Sequence, residues 1–252
     1  MRNFTRSKPV CSLPKTNRDS KLVATGSHLY QFSECEQKTS FLKFPDAIKS
    51  SNVLPPMLDK RSKFCACILM QKITVIGGKT NHESVNSCVT YDNEINKWTN
   101  IASMNANREN TSSTVFCGEI VVAGGSIKKR LGIRAMPSFS TRFLKSVEAY
   151  CFHENKWTKF PDMLKNKCGH STVSIKNKMF VIARYPGGGC EVFDSVTNNF
   201  TFIKINLHIE DVDYYSPKVE TITVGCKVYV FYIKQKYFTP GWKVEYQLFV
   251  IM

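Results

Sequence analysis

A stretch of about fifty residues occurs twice in this chain, almost position for position. Such a repeat constrains the architecture more than any composition does, because each copy is one structural unit that buries its open faces only against its neighbours. The first copy contains Ile73-Thr74-Val75-Ile76-Gly77-Gly78 and the second Ile120-Val121-Val122-Ala123-Gly124-Gly125. Each is followed by Ser-x-x-x-Tyr and then, with six residues between, by tryptophan: Ser87, Tyr91 and Trp98, then Ser146, Tyr150 and Trp157. The approach to the tryptophan also repeats, Asn96-Lys97-Trp98-Thr99 against Asn155-Lys156-Trp157-Thr158, and Met104 stands where Met163 does.

Weaker copies flank these two. Met179-Phe180-Val181-Ile182 takes the place of the strand, Ala183-Arg184 replaces the diglycine, and Phe193 and Phe200 replace the tyrosine and tryptophan at the same separation. A fourth copy begins at Glu220-Thr221-Ile222-Thr223-Val224, turns at Gly225-Cys226 and resumes at Val228. Upstream, Leu29-Tyr30-Gln31-Phe32 and Ser40-Phe41-Leu42-Lys43-Phe44-Pro45 read as the trailing half of an earlier copy. Within a copy, β-rich runs flank short turns such as Gly118-Glu119, a hairpin spacing, so each copy predicts four short antiparallel strands.

The diglycine, the spaced tyrosine and tryptophan and the period resemble kelch repeats, with the best match over residues 61–205. The resemblance implies an all-β, kelch-type β-propeller, here incomplete, with four to five blades that degenerate at both ends. The expected organisation is an unassigned N-terminal segment over 1–21, a half blade and linker over 22–60, and propeller blades over 61–252. Gly77, Gly78, Gly124 and Gly125 are expected to admit close backbone approach where blades converge, and Tyr91, Trp98, Tyr150, Trp157, Phe193 and Phe200 to fill the gap between packed sheets.

Chemistry beyond the scaffold is sparse. The five histidines form neither H-E-x-x-H nor a close ligand pair, and G-x-S-x-G, Walker and G-x-G-x-x-G motifs are absent, so neither an enzyme nor a cofactor or metal site is expected. Ten cysteines without a C-x-x-C pair read as reduced thiols, most of them in the core. With neither a secretory pattern at the first residues nor a membrane-length apolar run, the chain is expected in the cytosol or on the cytoskeleton. Net charge is +15, and the cations are scattered except over residues 126–145, where Lys128, Lys129, Arg130, Arg134, Arg142 and Lys145 occur without an acid.

Function is therefore expected from loops. In kelch-like substrate receptors the binding face is made by the loop before each blade's first strand and the long loop after the diglycine. By resemblance the first set contains Arg61 and Lys63, Arg108 and Asn110, and Lys167 and His170. An arginine there can grip a carboxylate bidentately, or bond to neighbouring backbone carbonyls. The loop 126–145 exceeds its counterpart 79–85 by about a dozen residues; it reads as a binding site for an acidic partner, through its cations with Phe139 and Phe143, or as a solvated mobile loop.

The leading expectation is a protein-interaction module, a substrate-recognition propeller like those of adaptors for cullin-RING ubiquitin ligases. Those adaptors carry a BTB and BACK region that nothing in residues 1–60 resembles, so this chain alone is not expected to recruit a cullin. The alternatives are an actin-binding kelch protein, or a degenerate fragment that binds polyanions; nucleic acid is not the expected partner.

Overall fold

The structure is a computed structural model. It describes residues 21–25, 28–32, 39–43, 51–132, 138–183, 189–203, 218–224, 227–238 and 241–251. The expectations for residues 1–20, Arg134, Arg184 and Cys226 fall outside these.

The described residues form strands and turns, without a helix. The first sheet is β1 (Lys21–Thr25), β2 (His28–Phe32), β3 (Thr39–Lys43) and β4 (Ser51–Val53), in that order. The better repeat copies follow. β5 (Cys65–Leu69), β6 (Lys72–Ile76), β9 (Cys88–Asp92) and β10 (Lys97–Ile101) make one four-stranded sheet, from which the two-residue strands β7 (Lys79–Thr80) and β8 (Glu83–Ser84) project as a hairpin. β11 (Ser112–Phe116), β12 (Glu119–Ala123), β15 (Val147–Cys151) and β16 (Lys156–Phe160) make the next, with β13 (Ser126–Leu131) and β14 (Ser138–Phe143) as its hairpin. β17 (Ser171–Ile175), β18 (Lys178–Ile182), β19 (Cys190–Asp194) and β20 (Asn199–Ile203) form a fourth four-stranded sheet, and β21 (Lys218–Val224), β22 (Lys227–Phe238) and β23 (Gly241–Ile251) a last one of three strands.

All strand pairs within the blades are antiparallel. First strands succeed one another in space: β1 lies against β5, β5 against β11, β11 against β17 and β17 against β21. That order, with a separate apolar core between each successive pair of sheets, is a propeller's. Trp98, Tyr91 and Ile73 share a core with Tyr30 and Phe32 of the first sheet; Trp157 and Tyr150 share one with Cys65, Cys67 and Ile76 of the preceding blade. Phe193 and Phe200 pack with Phe116 and Val121, while Val173 and Cys190 pack with Val219 and Val230. Each of the three middle sheets is therefore half of two cores.

The ends depart from expectation. Four strands stand where half a blade was expected over 22–60, because residues ahead of Leu29 pair as well: Val23 faces Tyr30 across β1 and β2. At the other end β22 and β23 pair over their whole length, Val228 with Ile251 through Phe238 with Gly241, a hairpin about twice as long as a blade strand.

The diglycine has a steric cause visible twice. Gly77 has φ 59° and a Cβ there would lie 2.5 Å from the Arg108 carbonyl oxygen; Gly124 has φ 57° and its Cβ would lie 2.6 Å from that of Lys167. Only glycine combines a left-handed φ with so close an approach of the next blade's backbone.

Candidate functional site

The loops before the first strands and those after the diglycines lie together. The Gly78 N–H donates to the Arg108 carbonyl (2.7 Å) and Gly125 N–H to that of Lys167 (2.7 Å), so each diglycine is tied to the loop entering the next blade. A second belt links equivalent positions: Asn110 N–H donates to the Lys63 carbonyl (2.9 Å), and Gly169 N–H to the Asn110 carbonyl (2.8 Å). Lys63 and Asn110 hold left-handed φ values of 54° and 52° to make these bonds.

Three of the basic residues expected to grip a partner are consumed by the scaffold. Arg108 is fully buried. Its Nη1 donates to the carbonyls of Gly124 (2.7 Å) and Ser146 (2.8 Å), and its Nη2 to Ser146 Oγ (2.8 Å) and Glu148 Oε1 (2.9 Å). Arg61 repeats the arrangement on the Gly77 and Ser87 carbonyls, with Asp59 as its carboxylate. Lys167 is buried against Glu191. The structure places these three inside the scaffold: each cation is buried against a carboxylate, and the two arginines also bond backbone carbonyls, the second of the two roles expected for them. The carboxylates are the residues that sequence reasoning missed. Glu148 also accepts from the N–H groups of Asn105 (2.7 Å) and Ala106 (3.2 Å), and Glu191 from those of Leu164 (2.7 Å) and Lys165 (3.1 Å). Their signal was present, since each precedes the repeat aromatic, Tyr150 or Phe193, by two positions.

His170 is also buried, and neither ring nitrogen has a partner at hydrogen-bonding geometry. Burial first, and then the Lys167 cation, hold its imidazole down to about 3 against an opposing pull from the Ala123 carbonyl, with the Arg108 cation adding to the lowering. In the unfolded chain the ring takes up its proton as pH falls through about 6.5, whereas the folded protein refuses it until about 3. The stability contribution is thus complete above pH 6.5 and lost as pH falls from there toward 3. His170→Leu is expected to remove about 2 kcal/mol of the stability difference between pH 7 and pH 5. Urea melts of both proteins at the two pH values check this; equal pH dependence in both would show the ring to be accessible.

What remains exposed is the ribbon of β13 and β14. Residues 126–131 and 138–143 of the long loop are strands, paired from Ser126 with Phe143 to Leu131 with Ser138. β13 lies beside β8 of the previous blade's hairpin, whose tight turn has Asn81 and His82 at φ 46° and 70°. Both central residues at positive φ give the turn that matches strand twist. Lys128 Nζ sits 4.4 Å from the Phe139 ring centre, a cation–π contact, while Phe139, Phe143 and Leu131 are exposed. Lys129 and Arg142 are exposed as well, and Lys63 is partly exposed at 3.7 Å from Glu109.

Among the described residues no group of three His, Cys, Asp or Glu is placed to hold a metal ion. Cys65, Cys67, Cys88 and Cys190 are buried thiols; burial pushes Cys67 up and Cys88 to about 12, which leaves those two protonated and inert. Cys117 is exposed at the β11–β12 turn. No helix of the described residues is long and apolar enough to cross a membrane.

Comparison with known proteins agrees with this geometry. The Kelch motif family matches residues 60–105 and 107–164, the two blades that carry the buried strut arginines. The chain is 25% identical to human (Homo sapiens) Kelch-like protein 26 over 170 residues, 65% of this chain and 26% of that protein. It is 29% identical to Kelch-like protein 41a of Danio rerio over 111 residues, 44% and 16% of the two, and 30% identical to Kelch-like protein 25 of Rattus norvegicus over 136 residues, 53% and 23%. The matched region spans about a quarter or less of those relatives' length. With two family matches in register with two four-stranded blades, the chain carries a kelch-repeat β-propeller domain that resembles those of kelch-like proteins.

Proposed function

We propose that this propeller is a non-catalytic recognition module that holds an acidic segment of a partner protein on the β13–β14 ribbon. The observation that carries the reading is the ribbon itself, which presents Lys128, Lys129, Arg130 and Arg142 with no acid of its own, beside the exposed Phe139 and Phe143. Kelch domains serve as protein-binding propellers, and the resemblance to adaptors of cullin-RING ubiquitin ligases makes a ligase client the first class of partner to test. Lys63 and Asn110, at the surface of the same loops, are candidates for the rim of the site.

Exposed charges at an interface act mainly on the association rate and its salt dependence. Replacing Lys128, Lys129 and Arg130 together by glutamine is expected to slow association with a partner recovered by pull-down from cell lysate about tenfold at low salt and to flatten its salt dependence, with dissociation little changed. Stopped-flow or surface-binding kinetics on the purified partner measure this. Unchanged association would move the binding surface elsewhere, a filament-binding face included.

A further inference from the structure

The backbone of the ribbon has one satisfied edge and one open edge, and hydrogen-bond parity says which atoms each presents. Ser126 exchanges both of its backbone hydrogen bonds with Glu109, at 2.8 and 2.9 Å, so its amide and carbonyl point away from β14. Along an antiparallel pair such outward residues alternate with inward ones. Lys128 and Arg130 must then point outward too, and they do: the Lys128 N–H donates to Ser84 Oγ (2.7 Å) and the Arg130 N–H to Glu83 Oε1 (3.0 Å). The edge of β13 is thus capped by the neighbouring blade.

Their cross-strand partners are Phe143, Thr141 and Phe139. By the same parity these three turn their N–H and C=O groups to the outer edge of β14, where no described residue bonds them. Every residue of β14 is exposed. The side chains of Phe139, Thr141 and Phe143 share one face with Lys128 and Arg130, and Arg142 lies on the other face with Lys129. An open edge of this length is a template for another strand.

From this we infer that the acidic segment binds by strand addition: it lies extended along β14, exchanges backbone hydrogen bonds with Phe139, Thr141 and Phe143, and sets its carboxylates against the cations of both faces. This rests on the proposed function and specifies its geometry. A second copy of the chain is the poorer occupant, because pairing two β14 edges would bring two sets of Lys128, Lys129, Arg130 and Arg142 together.

The probe is a labelled ten-residue peptide of valine and glutamate in alternating pairs, which sets carboxylates on both faces of an extended strand, titrated into the full chain by fluorescence anisotropy. Its companions are a version N-methylated at every second residue and a valine–lysine version. Thr141→Pro removes one outward N–H and no bond to β13, and proline is tolerated on an edge strand. The valine–glutamate peptide is expected to bind and to slow hydrogen exchange at the Phe139, Thr141 and Phe143 amides. Thr141→Pro, or N-methylation of the peptide, is expected to weaken binding about tenfold.

Equal binding by Thr141→Pro and by the N-methylated peptide overturns strand addition while leaving charge recognition standing. Equal binding of the lysine peptide, or retention after neutralising Lys128, Lys129 and Arg130, overturns the recognition reading itself. No binding of the valine–glutamate peptide overturns strand addition. A dimer that Thr141→Pro converts to monomer assigns the edge to a second copy and overturns it too.

Discussion

Arg108→Ala is expected to destabilise the domain by about 3–5 kcal/mol, the loss typical of breaking one side of a buried, hydrogen-bonded ion pair. Arg108 has no exposed surface, and the Glu148 side chain is 5% exposed. Truncation leaves the Glu148 carboxylate buried with only the donors of Asn105 and Ala106, and strips the Gly124 and Ser146 carbonyls of the donor that ties them. Those carbonyls belong to the diglycine turn and to the strand entry beyond the ribbon, so the damage falls on the face from which β13 and β14 project. Arg108→Lys keeps the charge, as Lys167 does naturally in the next blade, but loses the fork that serves several acceptors at once, and an intermediate loss is expected. Urea denaturation followed by tryptophan fluorescence measures both. A loss below about 1 kcal/mol for Arg108→Ala would show that the guanidinium is not the tie described, since effects of that size belong to surface sites.

The same residue shows where sequence reading succeeded and where it stopped. The four-stranded sheets of the two best copies were legible because they rest on local rules, alternation and turn spacing, that repeat in register. The fate of Arg61, Arg108 and Lys167 was not, because a basic residue ahead of a strand has the same appearance whether it faces a partner or its own blade. What decides is the carboxylate across the blade, Glu148 or Glu191, tens of residues away. Where that position holds Val89 instead, Asp59 supplies the anion from Arg61's own loop. The ribbon escaped for another reason: Ser138-Phe139-Ser140-Thr141-Arg142-Phe143 alternates as a strand does, yet it buries nothing, so hydrophobic patterning gave no inward face to detect. The four-stranded first sheet was missed because its opening strand, Lys21–Thr25, lacks the diglycine and serine–tyrosine landmarks by which copies were recognised.

Trp157→Ala is expected to cost about 3–5 kcal/mol, because the indole fills a gap between two blades that rigid sheets cannot close around. The ring is buried 5.1 Å from that of Tyr150, and it packs in one core with Cys65, Cys67 and Ile76 of the preceding blade. Its Nε1 donates to the Ala102 carbonyl (2.8 Å), at the end of that blade, and Trp98 does the same toward Pro55 (2.9 Å). Asn155 supports the arrangement: at φ 47° its Oδ1 accepts from both the Tyr150 hydroxyl (2.8 Å) and the Ala102 N–H (2.8 Å), which fixes the turn ahead of the tryptophan against the neighbouring blade. Trp157→Phe keeps most of the ring and loses the inter-blade hydrogen bond, so about 1–2 kcal/mol is expected. Phe200, which stands at the equivalent place in the next blade and packs against Phe193 at 5.1 Å, shows that a phenyl ring is tolerated there. Equilibrium unfolding of the two variants separates the contributions. A graded loss, small for phenylalanine and large for alanine, is the outcome that inter-blade packing requires; equal and small losses would place Trp157 at a solvent-exposed rim and break the match between repeat and core.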